Sequence, residues 1–148
     1  MGPSIMTGRE QVQYRLRIAQ GFLSEARQDV ELTRWRAAVD NAQLAVENAA
    51  KSVLALLGPV GRTHHPAVAL RQALDDGLFP GPAQDRIRCL IELAELMGPD
   101  IHVQTDYGDE MGGRTPWELF SETDARQALA NAEEAVTLAQ DLMQELSR

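Results

Sequence analysis

Two adjacent histidines, His64 and His65, follow a Gly-Pro-Val-Gly turn and stand directly before a proline. A histidine with a near-neutral pKa can serve as an acid, a base or a metal ligand. Adjacent helical positions point about 100° apart, and no His or Cys lies four residues further on, so we expect no metal site here. A ligand or acid–base role for His64 therefore competes with simple packing at the start of a helix that Thr63 caps.

A second polar group consists of Gln43, Glu47 and Lys51, which recur every four residues. On a helix this spacing places all three on one strip beside the apolar stripe. Glu47 before Lys51 favours an ion pair worth only about 0.2–0.5 kcal/mol, so a solvated pair is one interpretation. Lys51 is the only lysine in the chain, and its compact charge differs from the planar fork of arginine. The use of lysine rather than arginine at this one position indicates a specific role for residue 51.

Other reactive side chains give weaker signals. The acidic stretch 106–110 lacks the oxygen spacing of an EF-hand, and we expect a solvated loop. Cys89 lies beside the apolar face of a predicted helix and is predicted to be a buried, inert thiol. Trp35, Trp117 and Phe120 are predicted to lie in the core. The sequence lacks the phosphate-loop, dinucleotide, serine-hydrolase and zinc-protease motifs, so we assign no catalytic residue and expect no cofactor.

The elements that must position these residues are helical. Apolar residues recur at helical spacing, and no strand alternation of any length appears. Pro66 suits the first turn of a short helix, because its missing N–H needs no partner there. The segment 98–120 is rich in Gly and Pro and is predicted to be a loop. Four long helices are predicted at about 9–30, 33–57, 83–97 and 121–146, with a short one at 66–76.

This pattern predicts an all-α fold: an up-and-down four-helix bundle with one short extra helix and a long loop before the last helix. The 148 residues suit one domain, and we expect a flexible N-terminus at 1–8 and a single domain at 9–148. One cysteine permits no disulfide within the chain. No signal peptide and no apolar run of about 18 residues appear, so we expect a cytoplasmic protein.

The charge distribution argues against general nucleic-acid binding. The net charge is −8. Residues 1–62 hold eight Arg or Lys and six Asp or Glu, whereas residues 63–148 hold six and sixteen. An acidic chain without a basic stripe lacks the electrostatic surface that holds phosphate backbones. A small basic cleft remains an option only in the first half.

The second predicted helix and the turn after it carry a family pattern. The sequence reads "AAVDNAQLAVENAAKSVLALLG", followed by "RTHHPAVALRQAL". It resembles the HEPN domains, whose second helix has an A-Q-x-A-x-E-x-A-x-K pattern and whose next helix opens with Thr-His. The matching positions are Ala42, Gln43, Ala45, Glu47, Ala49, Lys51, Thr63 and His64.

The resemblance continues over roughly residues 10–146. Many HEPN members have a loop resembling T-R-Y-P-D, a Gly-Gly-x-x-Pro stretch and a last helix that opens with Asp-Ala. This chain has "TDYGD" at 105–109, then "GGRTPWELF", then Asp124-Ala125. Asp106 replaces the Arg of the family loop and Gly108 replaces its Pro, which weakens any anion-binding role for that loop.

Members of the family that cleave RNA carry an Arg, four to six residues and then a His. Arg62 lies too close to His64 and His65, and Arg88 lies fourteen positions before His102. The resemblance therefore implies a non-catalytic HEPN-like binding module, a candidate for nucleotide binding and for pairing with a nucleotidyltransferase in a toxin–antitoxin-like system. Two alternatives stay open: a diverged HEPN ribonuclease acting through His64 and Arg62, and a purely structural homodimeric helical protein.

A ligand site is expected where the second helix meets the turn before the third, with Lys51 and Arg62 supplying positive charge. The candidate residues are Gln43, Glu47, Lys51, Arg62 and His64, with Tyr107 as a cover. A homodimer is also expected, because apolar residues off the main stripes would form a surface patch. Those residues are Ile18, Phe22, Leu32, Leu44 and Leu54.

Overall fold

The computed structural model describes residues 7–60 and 65–147 and contains helices and turns without an extended strand in those ranges. An isolated bridge joins Asp109 to Arg114. The helices are α1 (Gly8–Glu31), α2 (Trp35–Ala55), α3 (Pro66–Asp75), a 3-10 turn (Gly81–Ala83), α4 (Gln84–Leu96), α5 (Pro99–Tyr107), α6 (Pro116–Leu119) and α7 (Glu122–Leu146). The predicted all-α fold is confirmed.

The four long helices alternate in direction. A three-residue connection turns α1 back into α2. Val12 near the start of α1 and Met143 near the end of α7 line the same surface cleft, so these helices are antiparallel. Arg86 at the start of α4 forms an ion pair with Glu145 at the end of α7, so this pair is antiparallel too. The order α1, α2, α4 and α7 is the predicted up-and-down bundle, with α3 as the short extra helix.

The middle of the bundle is α2, which packs against α1, α3, α4, α5, α6 and α7. Fourteen of its 21 residues are buried. A helix enclosed on nearly all sides needs small side chains where neighbouring backbones approach closely. Six of the buried positions are alanines: Ala38, Ala42, Ala45, Ala49, Ala50 and Ala55.

The segment 98–120 is not a long loop, and this part of the sequence prediction is wrong. Pro99 opens α5, and Pro116 opens α6 after the capping box formed by Thr115 and Glu118. These prolines occupy first-turn positions, where a proline favours a helix rather than breaking it. The missed signal is weak because Thr105 is the one buried residue of α5, which leaves no apolar stripe to detect.

The start of α7 agrees with the sequence. Ser121 caps the helix and Asp124 completes the capping box, as predicted. At the other end of the chain, residues 1–6 of the expected flexible segment lie outside the described residues. Thr7 caps α1 and Gly8 is the first residue of that helix.

Several side chains lie elsewhere than the sequence predicts. Trp117 is 73% exposed and Cys89 is exposed, so neither belongs to the core. Trp35 and Phe120 do pack against the core as expected. None of the described helices is long and apolar enough to cross a membrane.

Polar contacts attach α5 to α2. Asp40 of α2 has an oxygen 2.9 Å from Nδ1 of His102 and 3.1 Å from the hydroxyl of Thr105. Arg36 donates to the carbonyl of Thr105 at 3.1 Å. The hydrogen bond to Asp40, aided by the charges of Asp40, Asp106 and Glu47, raises the pKa of His102. The folded protein therefore stabilises the protonated form of the His102 imidazole.

The turn between α1 and α2 is a Schellman motif that uses an unusual residue. Arg34 N–H donates to Asp29 at 2.8 Å, and Thr33 N–H donates to Val30 at 3.1 Å. Thr33 has φ of 57°, the left-handed position that glycine usually occupies. A β-branched side chain is strained there, because its Cβ crowds the backbone.

Replacing Thr33 with glycine should relieve this strain. We expect Thr33→Gly to raise the free energy of unfolding by roughly 0.5–1 kcal/mol, measured by urea denaturation. Thr137→Gly, on the exposed face of α7, is the matched control and should lower it by about 0.3 kcal/mol. If Thr33→Gly destabilises the protein as its control does, the turn is not strained.

The contact between His102 and Asp40 should make stability depend on pH. A raised folded-state pKa contributes stability below the unfolded value of 6.5, and this contribution is lost as pH rises through the folded value. Thermal unfolding from about pH 6 to about pH 8 should therefore show a falling Tm. His102→Gln should flatten this dependence, and an unchanged slope in the variant would show that His102 does not cause it.

Candidate functional site

A cavity of about 360 Å³ lies between α2, α3, α4 and the start of α5. Its position depends on α5, because Gly98 and the first turn of that helix form one wall. The polar residues of the wall are Gln43, Glu47, His65, Glu95 and Asp100, and the side chains around them are Pro66, Ala67, Val68, Ala94, Met97 and Pro99. We call this the α2–α3 cavity.

The polar strip on α2 is buried rather than solvated. Gln43 is 1% exposed, Glu47 8% and Lys51 7%. Lys51 Nζ lies 3.3 Å from Glu47 Oε2. Removing two charges from water is costly, and a buried pair persists only with good internal contacts. The structure thus brings three of the predicted site residues together in one buried row, two of which reach the cavity wall.

The amide of Gln43 is only half satisfied. Its Nε2 donates to the carbonyl of Met97 at 3.4 Å, which is a long hydrogen bond. Its Oε1 is buried without a hydrogen-bond partner. An unpaired buried acceptor costs about 1–3 kcal/mol. Gln43 lines the α2–α3 cavity, so this amide lies beside the space that a bound molecule would occupy.

The described wall of the cavity is acidic, and its nearby cations are paired. Glu47 neutralises Lys51, and Glu95 receives two hydrogen bonds from Arg71 at 2.6 and 3.1 Å. The hydrogen bond to Glu95 raises the pKa of the Arg71 guanidinium above its ordinary value. Asp100 lies in the first turn of α5, where the helix dipole favours a carboxylate. This wall favours hydrogen-bond donors over phosphate oxygens.

The remaining predicted residues do not join this row in the described part of the structure. Arg62 and His64 lie outside the described residues. The prediction that Thr63 caps the short helix is wrong, because the N-cap of α3 is His65, which makes no side-chain cap hydrogen bond. Tyr107 is 65% exposed at the end of α5, eight residues from Pro99 and so about 12 Å along the helix. It does not line the α2–α3 cavity.

Sequence reasoning missed Asp100 and Glu95 as wall residues. The signal for Asp100 was present, because Gly98-Pro99-Asp100 is an ordinary helix start with proline in the first turn. Glu95 carried no such signal, since only the packing of α3 on α4 places it beside the cavity. Across the described residues, no group of three or more His, Cys, Asp or Glu side chains could hold a metal ion.

Comparisons with known proteins agree with this architecture. The family model of the HEPN domain matches residues 12–142. The crystal structure of TT1696 from Thermus thermophilus is similar with a TM-score of 0.67 at 20% sequence identity, over 89% of this chain and 98% of that one. No curated protein sequence matches significantly. The family match spans most of the sequence, and the chain belongs to the HEPN domain family.

Proposed function

We propose that this protein is a non-catalytic HEPN-like binding module whose α2–α3 cavity takes the base of a nucleotide-like ligand. The observation that carries the proposal is the buried, unpaired Oε1 of Gln43. A ligand amino or ring N–H group would satisfy that oxygen. The volume of about 360 Å³ falls at the small end of ligand pockets, which suits one planar ring system.

The chemistry of the wall supports a base rather than a phosphate in the cavity. Pro66, Val68 and Met97 provide apolar surface for the faces of a ring, while Glu47 and Asp100 offer acceptors for its edge. A phosphate placed among these carboxylates would be repelled. The phosphate of a bound nucleotide would instead extend outward, and Arg62 is the cation that the sequence offers for it.

The wider biological role is proposed on the family resemblance. A nucleotidyltransferase partner in a toxin–antitoxin-like system fits a non-catalytic member, and a cytoplasmic location fits the single cysteine. The ribonuclease alternative requires Arg62 and His64, which do not have the spacing found in RNA-cleaving members. The purely structural alternative would leave the buried Gln43 Oε1 without a hydrogen-bond partner.

Gln43 should matter more for binding than for folding. We expect a nucleoside with an exocyclic amine, such as adenosine or cytidine, to raise the Tm of the protein, since a ligand that binds only the native state stabilises it. Gln43→Leu should abolish this shift while the ligand-free Tm changes little, because loss of the unpaired buried Oε1 offsets loss of the long hydrogen bond from Nε2 to Met97. Differential scanning fluorimetry measures both quantities.

Gln104→Leu is the matched control, because Gln104 is an exposed glutamine of α5 that does not line this cavity. It should keep the full ligand-induced shift. If no nucleoside or nucleotide raises the Tm, or if both variants respond alike, the proposed ligand site is wrong.

We also propose a homodimer, although fewer of its expected interface residues are exposed than the sequence predicts. Phe22 and Leu54 pack against the core of their own chain, so they are not part of the expected surface patch. Leu32 remains 48% exposed, and Ile18 and Leu44 are half-buried. Sedimentation at micromolar concentration should give twice the chain mass of 16.3 kDa. A mass of one chain at every concentration would show that these residues need no partner.

A further inference from the structure

A second cavity, of about 490 Å³, lies at the N-terminal end of α2. Its wall is formed by Thr33, Arg34, Trp35, Arg36, Ala37 and Trp117. We call it the tryptophan cavity, because it contains both tryptophans of the chain. No carboxylate is among the described residues that line it, which is the reverse of the acidic α2–α3 cavity.

Trp117 is held in place although it is exposed. It follows Pro116, which is buried, and it lies inside the capping box that Thr115 and Glu118 form. The guanidinium of Arg36 lies 5.4 Å from the centre of its ring. With 73% of the residue still accessible, the indole presents an open surface on a fixed support. An exposed indole on a backbone fixed by the capping box is suited to stacking against a flat ring.

The positive charge around this indole is only partly used. Arg36 donates through Nη1 to the carbonyl of Thr105, while its Nε is buried without a partner. Arg34 is exposed and makes no ion pair with the described residues. The first turn of α2 adds N–H groups with neither a side-chain cap nor an acidic residue. Guanidinium groups and free N–H groups both bind anions.

We propose that the tryptophan cavity binds a planar aromatic molecule that carries an anionic group. The ring stacks on the open surface of Trp117, and the anion is held by Arg34 and the first turn of α2. The indole and the cations line the same cavity, so one molecule that carries both a ring and a charge can contact them together. Mononucleotides and aromatic carboxylates share this chemistry. The site is separate from the α2–α3 cavity and does not depend on the function proposed for that cavity.

The two tryptophans make the test direct. A ¹H–¹⁵N spectrum of the full chain contains two indole N–H signals, and both report on this cavity. We expect titration with adenosine 5′-monophosphate or 1-naphthoate to shift these signals saturably. Adenosine, which lacks the charge, and inorganic phosphate, which lacks the ring, should each bind at least about tenfold more weakly. Binding of the nucleotide alone identifies a phosphate source, and binding of the naphthoate alone a carboxylate source.

Variants separate this site from surface electrostatics and from the first cavity. Arg34→Gln and Trp117→Leu should each weaken the nucleotide or naphthoate at least about tenfold, with Tm recorded to confirm folding. Arg17→Gln, an exposed arginine of α1 outside the cavity, is the control and should have no effect. Gln43→Leu should also leave the indole shifts intact.

Three results would overturn the proposal. Both ring-bearing anions could leave the indole signals unmoved. Arg17→Gln could weaken binding as much as Arg34→Gln, which would indicate nonspecific attraction. Adenosine could bind as tightly as its monophosphate while naphthoate fails to bind, which would remove the anion from the recognition.

Discussion

The enclosure of α2 is the constraint on which the rest of the structure depends. Six helices pack around it, and two thirds of its residues are buried. Alanines need no hydrogen-bond partner and are small enough to fit where neighbouring helices approach. Gln43, Glu47 and Lys51 are polar, so each needs a partner inside the protein. Lys51 and Glu47 form an ion pair with each other, whereas Gln43 has one long hydrogen bond and one unpaired oxygen. The candidate site is thus a direct consequence of placing polar residues on the most enclosed helix.

The short helix α5 completes that enclosure and connects the two cavities. Its first turn supplies Asp100 to the wall of the α2–α3 cavity. Its last turns contact Asp40 through His102 and Thr105, and Arg36 through the carbonyl of Thr105. Because Arg36 lies against Trp117, the same helix also fixes the tryptophan cavity. Ile101 is the one apolar side chain of α5 that packs against the core, so the polar contacts largely determine where this helix lies.

The sequence predicted the long helices well, because each buries an apolar stripe that repeats at helical spacing. It predicted the row formed by Gln43, Glu47 and Lys51 but not its burial, which results from the packing of several helices around α2. It missed α5, since a helix that buries only Thr105 carries no apolar stripe and its start at Gly98-Pro99-Asp100 was assigned to a loop. Trp117 was assigned to the core by residue type alone. Its exposure follows from the brief α6, which no periodic pattern reveals.

The two cavities divide the charge of the chain in a way that its net value conceals. A net charge of −8 argues against binding anions over the whole surface, yet it does not decide the potential inside one cavity. At the N-terminal end of α2, two arginines meet the positive end of the helix dipole, and no carboxylate is among the described residues of the wall. Farther along the same helix, Glu47 neutralises the charge of Lys51, and Glu95 and Asp100 add further carboxylates to the wall of the α2–α3 cavity. One helix therefore presents side chains of opposite charge at two places, and this difference is why we propose ligand groups of opposite character for the two cavities.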